Sequence, residues 1–263
     1  MFKLFDKKPV LDETAIQWMF DCYEWAFRNL DAKLFFESTT LVYPNNDYFP
    51  GQENSPEAKS NLILDQVRQH AGMKNWPVRL VDEDIYLASS FVNTAPKLTI
   101  EGSARGATAL QPVLNAQEDA LFIVYQPNLL RNPQALIANY AQMLANYLGY
   151  TVVDPPPGGI ENWPMLTEMI AIFMGFGLMY ANTAGNVRIS SCGSCQGPSA
   201  ERVNYLSQYD AAYALAIFAA LKNIDTKEIK PYLKKTLHTF YRKALAEVES
   251  RDDEMSRLRK FAI

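Results

Sequence analysis

Two long uncharged stretches constrain this chain more than any other feature. Met169 to Ala181 runs thirteen residues without a charge, and Ala211 to Leu221 runs eleven. A helix that crosses a bilayer needs about 20 predominantly apolar residues. Extending the first stretch toward its N-terminal side meets Glu168, Thr167 and Pro164 almost at once. Both stretches therefore read as helices buried in a protein core, and no membrane insertion is expected.

The rest of the composition fits that reading. The chain has 263 residues, enough for a substantial core. Apolar residues make up 48% and charged residues 21%, a balance that argues against disorder. The net charge of −4 gives no basic footprint, so no nucleic-acid partner is expected. The three cysteines, Cys22, Cys192 and Cys195, are odd in number and do not suit a secreted disulfide framework. At the N-terminus, Lys3, Asp6, Lys7 and Lys8 interrupt any apolar run before a signal peptide develops. The cytoplasm is the expected compartment.

Apolar periodicity predicts helices over 12–31, 56–72, 132–149, 164–182, 199–222 and 226–250. Thr39 to Tyr43 reads as a short strand, stopped by Pro44 and the Asn45-Asn46-Asp47 turn signal. Pro77 to Val81, Ile85 to Val92, Lys97 to Glu101 and Ala120 to Tyr125 also read as strands, in a mixed or antiparallel sheet. Val187 to Ile189 reads as another short strand. Pro155-Pro156-Pro157 marks an extended connection, but the helices on either side are too apolar to stand alone. The expected organisation is α+β and a single domain over 1–263, with an N-terminal helix and sheet (12–126) and a helical half (132–250). Charged residues such as Lys234, Lys235, Arg242, Lys243, Glu247 and Glu249 are expected on a solvated face.

The helix over 132–149 carries the most informative polar residues. Gln142 and Asn146 are four apart and share a face, with Met143 beside them. By itself this pattern describes either a solvent-exposed polar face or the lining of a cleft. Glu168 is the one charge at the head of an apolar helix. Such a carboxylate must stay near water, find a partner or take up a proton, and Arg202 is the candidate partner.

Several short motifs follow one another in order: Leu41-Val42-Tyr43-Pro44, Tyr48-Phe49-Pro50, Ala71-Gly72-Met73, Leu166-Thr167-Glu168, Gly175-Phe176-Gly177, and Arg202 with Tyr205 and Leu206. On these the chain resembles an uncharacterised bacterial family similar to zincin-like metallopeptidases, over roughly residues 12–245. The resemblance aligns the zinc-binding His-Glu-x-x-His helix with Gln142-Met143-Leu144-Ala145-Asn146, and a third ligand position with Glu168. In that motif the two histidines bind zinc and the glutamate activates water. Carboxamides are weak zinc ligands, and a thioether is no general base. The only histidines, His70 and His238, lie outside this helix. The resemblance thus implies a zincin-like fold that is a pseudoenzyme, with no metal, no cofactor and no catalytic residue. Its degenerate cleft would be lined by Gln142, Met143, Asn146 and Glu168.

Other constellations are weaker. Cys192-Gly193-Ser194-Cys195 is a Cys-x-x-Cys, open to thiol redox chemistry or to half of a zinc knuckle. However, three residues separate it from the next helix, and a structural zinc needs two further ligands. Gly102-Ser103-Ala104-Arg105-Gly106 lacks the pattern of a phosphate loop. His70 is expected at a helix C-terminus or the surface. The expected function is binding of a protein or peptide partner. An enzyme of another kind using Glu168, Tyr205 or the Cys192/Cys195 pair, and a subunit of a larger assembly, are the alternatives. A homo-oligomer is compatible with either.

Overall fold

The computed structural model describes residues 8–92, 94–114, 118–185 and 204–262. Its elements, in chain order, begin with α1 (Glu13–Asn29), α2 (Ala32–Glu37), α3 (Pro56–His70), β1 (Val78–Val81) and α4 (Glu83–Leu87). Then come β2 (Leu98–Thr99), β3 (Val113–Leu114), β4 (Leu121–Val124) and α5 (Pro133–Gly149). Next are α6 (Trp163–Ala171), a π-helical turn (Ile172–Phe176), α7 (Gly177–Thr183) and α8 (Gln208–Lys222). The chain finishes with α9 (Thr226–Ile229), α10 (His238–Ser250) and α11 (Asp252–Arg259). The structure is mixed α and β, with about 60% helix and 5% strand.

Helix α8 is the hub. Ala211 to Leu221 are all at most 6% exposed, so the body of this helix has no solvent face. Its start is set by a capping box: Ser207 Oγ accepts from the Asp210 N–H, and the Asp210 carboxylate accepts from the Ser207 N–H. It ends at Asn223, which adopts a left-handed conformation (φ 54°). Helices α7 and α10 pack along it, and α1 crosses it. The Tyr23 hydroxyl donates to the Ala214 carbonyl at 2.9 Å inside that crossing. One apolar core runs from Ile16 in α1 to Leu258 in α11.

The segment from Ile160 to Thr183 is long and apolar enough to cross a membrane by length and composition, yet 89% of its most apolar window is buried inside the protein. The spacing predicts one uninterrupted helix here. Instead Gly175 breaks it, with φ 104°. Its carbonyl accepts from the Val42 N–H at 2.9 Å. Thr39–Tyr43 is therefore an extended strap and not the expected strand. No strand among the described residues pairs with it, and the π-helical turn supplies the acceptor for the Val42 N–H.

The sheet region is also smaller than the pattern implies. Strands β1 and β4 pair in parallel, with Val78 opposite Leu121 and Val81 opposite Val124. Strands β2 and β3 form a separate antiparallel pair, Leu98 opposite Leu114. The expected strand at Ile85–Val92 is instead α4 followed by a 3₁₀ turn at Ser90–Val92. Glu83 and Asp84 in its first turn suit the helix dipole. Ile85 and Leu87 stay 52% and 57% exposed, so their alternation has no buried sheet face to serve.

Further differences lie at the helix ends. The expected helix over 12–31 splits at Leu30, and Asp31 caps the new helix α2 by accepting from the Leu34 N–H. The Lys222 ammonium closes the other end of α2 by donating to the Phe35 and Phe36 carbonyls. The expected helix over 226–250 is interrupted between α9 and α10 by 3₁₀ turns at Lys230–Tyr232 and Lys235–Leu237. Helix α11 lies beyond the expected helices; its Arg257 pairs with Asp21 and Glu24 of α1. Glu247 is not on a solvated face: it accepts from the Val10 N–H, the Tyr213 hydroxyl and Arg251. The expected strand at Val187–Ile189 and residues 199–203 of the expected 199–222 helix lie outside the described residues; Asn204 to Ser207 are not helical, because the Ser207 cap starts the helix at Gln208.

A Cβ at position 175 would collide with the Thr40 carbonyl oxygen and would sit on a left-handed backbone. Gly175→Ala is expected to lower unfolding stability by at least about 2 kcal/mol, as measured by urea denaturation. A loss below about 0.5 kcal/mol would show that the strap does not depend on this break.

Candidate functional site

Helix α5 is the element on which the polar candidates meet. Asn132 caps it by accepting from the Ala135 N–H at 3.2 Å, and Pro133 occupies the first turn. Its apolar side, including Leu136, Tyr140, Leu144 and Leu148, is fully buried. Gly149 closes the helix as expected, but its small size matters for another reason. A Cβ there would lie 2.6 Å from the Trp163 ring.

That ring determines what Asn146 does. The Trp163 indole N–H donates to Asn146 Oδ1 at 2.8 Å, and the ring stacks on Tyr150 at 5.5 Å between centroids. The residue at the second histidine position of the aligned motif therefore joins α5 to α6. Met143 and Asn146 share a hollow of about 270 Å³ with Tyr86, Phe91, Tyr147 and Tyr150. The Tyr147 hydroxyl donates to the Phe122 carbonyl, and burial raises its pKa far above the usual phenol range. It is thus a neutral donor, not a base. Gln142 is half-buried, has interactions of its own and does not line this hollow.

Glu168 stands apart from them. Its side chain is fully buried, and its two oxygens accept from the Tyr205 and Leu206 N–H groups at 3.2 and 2.7 Å. The carboxylate thus holds the backbone that leads into α8. Its expected partner Arg202 lies outside the described residues, as do Cys192 and Cys195. The structure brings Met143 and Asn146 together, and leaves Glu168 outside their hollow. Among the described residues, no three His, Cys, Asp or Glu side chains group as a metal would require. Cys22 is a buried thiol in α1, and burial raises its pKa.

A larger hollow, about 630 Å³, opens at the other end of α5. The Pro44–Glu53 loop, α3 and the first turn of α5 enclose it. The loop is shaped by Asn45, whose Oδ1 accepts from the Asp47 and Tyr48 N–H groups and whose amide donates to the Tyr232 hydroxyl. Gln66 of α3 donates to the Pro50 carbonyl and fastens the loop's far side. Phe49, Leu62, Ile63 and Ile137 give the hollow apolar surface, and Gln52, Asn132 and Gln134 give it amides. Asn182 donates to Gln134 Oε1 at 2.8 Å, and Asn132 uses its oxygen as the helix cap. Among the described residues, the NH₂ groups of Asn132 and Gln134 have no hydrogen-bond acceptor.

The turn and proline residues of 44–56 by themselves predict a connection between elements and no hollow. The available signal was an Asn-Asn-Asp turn followed by Tyr48-Phe49-Pro50, an aromatic pair anchored between turn residues. His70 sits at the end of α3, as expected. It is half-buried there, its Nε2 within 2.7 Å of the Tyr48 carbonyl. His238 is likewise bonded to a carbonyl, that of Leu233.

No protein-family model, no curated protein and no solved structure matches this chain. The resemblance to zincin-like proteins rests on the ordered motifs alone.

Two substitutions test these roles. Glu168→Ala leaves the buried Leu206 N–H and the part-buried Tyr205 N–H without their acceptor and is expected to cost about 2 kcal/mol or more in urea denaturation. Asn146→Ala is expected to cost about 1 kcal/mol and to speed solvent exchange of the Trp163 indole proton, read by NMR. An unchanged exchange rate would remove Asn146 from the α5–α6 junction.

Proposed function

We propose that this chain is a non-catalytic, zincin-like protein that acts by binding a protein or peptide partner. Its binding surface is the hollow at the N-terminal end of α5. One observation carries the reading: a 630 Å³ concavity that combines an apolar surface with amide groups. That volume lies in the range of about 300–1,000 Å³ common for ligand sites. Apolar patches such as Leu62 and Phe49 take up a partner's side chain. The amides of Gln52, Asn132 and Gln134 suit a peptide backbone, which offers both donors and acceptors. Charges of both signs, Glu53 and Lys59 with Arg131, flank the hollow and favour no strongly charged ligand.

The non-catalytic part rests on side-chain chemistry. Gln142, Met143 and Asn146 supply neither imidazole nor carboxylate at the aligned zinc positions. Asn146 is engaged by Trp163, and Glu168 by backbone N–H groups. A helix of this kind keeps its place in the core while its former reactive face serves packing.

The test is selection of a displayed peptide library on the purified full chain, followed by fluorescence anisotropy with the enriched peptides. Leu62→Arg is expected to weaken binding at least tenfold and Gln52→Ala severalfold, with the fold intact by circular dichroism. Failure to enrich any peptide, or affinity indifferent to Leu62→Arg, would overturn the assignment of this hollow. Stoichiometric zinc that is lost on substituting Gln142 or Asn146 would overturn the non-catalytic reading.

A further inference from the structure

Arg105 is the one described cation that is buried without a carboxylate beside it. Its side chain is 2% exposed. Nε donates to the Ala71 carbonyl at 2.8 Å, while Nη2 reaches Thr39 Oγ1 only at 3.5 Å. Nη1 has no hydrogen-bond partner. The guanidinium lies 5.8 Å from the centre of the Phe173 ring, which supplies a weak attraction and no hydrogen bond. The nearest acidic influence is Asp31, which acts on it through space. Asp31 is itself engaged, accepting from the Ser103 hydroxyl and the Leu34 N–H.

A buried charge is normally paired, because removing it from water is costly. Desolvation lowers the pKa of Arg105 to about 10, which still leaves it charged at neutral pH. The group nevertheless lines an open hollow of about 360 Å³ formed by the end of α2, the end of α3, the Gly72–Asn75 turn and Gly106–Ala107. Lys74 and His70 line the same hollow, and no carboxylate does. Its walls are firmly held. The Gly106 N–H donates to the Gly72 carbonyl, both glycines have positive φ, and a Cβ on Gly72 would come within 2.7 Å of Gly106 N. The Trp76 indole and the Asn75 amide donate to the Ala104 and Ala109 carbonyls on either side.

We propose that this hollow is an oxyanion site, with Arg105 as its buried anchor and Lys74 at its rim, and that it takes a ligand headed by a phosphate or a carboxylate. A guanidinium with an unpaired donor matches the chemistry of either group, which can accept two parallel N–H bonds. Lys74 adds a mobile point charge, and the exposed Ser38 and Gln69 leave room for the body of the ligand. This site lies on a different set of residues from the peptide hollow and does not depend on it.

The experiment is a titration of the ¹⁵N-labelled full chain with sodium phosphate and, separately, sodium acetate, at ionic strength held constant with potassium chloride. Saturable shifts are expected at the amides of Gly72, Lys74 and Gly106. Tighter binding of phosphate assigns a phosphate headgroup, and tighter binding of acetate a carboxylate. Lys74→Gln is expected to weaken binding at least threefold, and Lys227→Gln, an exposed lysine elsewhere, to leave it unchanged. Arg105→Gln is expected to abolish binding, and Lys74→Gln carries the test if that variant does not fold. The proposal fails if neither anion gives saturable shifts, if Lys74→Gln leaves the affinity unchanged, or if folded Arg105→Gln still binds.

Discussion

A helix that is apolar on every side must be enclosed on every side, and α8 imposes that requirement on the whole chain. Its alanines at 211, 212, 214, 216, 219 and 220 keep the helix thin, so α7 and α10 can approach closely. Gly177 of α7 continues the pattern, since a Cβ there would lie 2.9 Å from the Leu215 side chain. Two tyrosines inside this cluster find partners for their hydroxyls. Tyr23 donates to the backbone of α8, and Tyr213 donates to Glu247. Arg251, between α10 and α11, and Arg257 of α11 then tie the enclosing helices to α1 through Glu13 and Asp21.

The break at Gly175 extends the influence of this core toward the surface. Opening the helix there frees a carbonyl for Val42, which holds the Thr39–Tyr43 strap against the core. The strap delivers Tyr43 to Tyr48 and Tyr232, and the three rings pack within about 5.5 Å of one another in two pairs. The loop that follows is thereby fixed above α3 and the start of α5, and the large hollow lies between them. The same strap brings Thr39 beside Arg105. One glycine in an apolar helix thus shapes two separate concavities.

Several of the buried and half-buried polar residues bind backbone. Glu168 accepts from two N–H groups, Lys222 donates to two carbonyls, Tyr147 and Tyr180 each donate to one. Such residues are ambiguous in a sequence. A lone glutamate at the head of an apolar helix looks the same whether it awaits a metal, an arginine or a peptide N–H. Asn146 was legible as one of a polar pair with Gln142, but its acceptor role toward Trp163 spans seventeen residues and a proline loop. Arg105 was legible only as part of a loop that lacks a phosphate-binding pattern. Its burial depends on Ala71, Thr39 and Phe173, three distant segments.

The amino-acid sequence by itself determined that helices lie within 12–31, 56–72, 132–149 and 199–222, because helical periodicity acts within a few residues; the last begins only at Gln208. It also determined the chemistry available on α5, where amides and a thioether stand at 142, 143 and 146. Tertiary structure alone decided that Ile85 and its neighbours are helical, that Gly175 opens a helix instead of continuing it, and which polar groups are enclosed. Strand pairing, the place of a break and the partner of a buried charge are all set by contacts between distant segments, and alternation or composition within a short window carries no record of them.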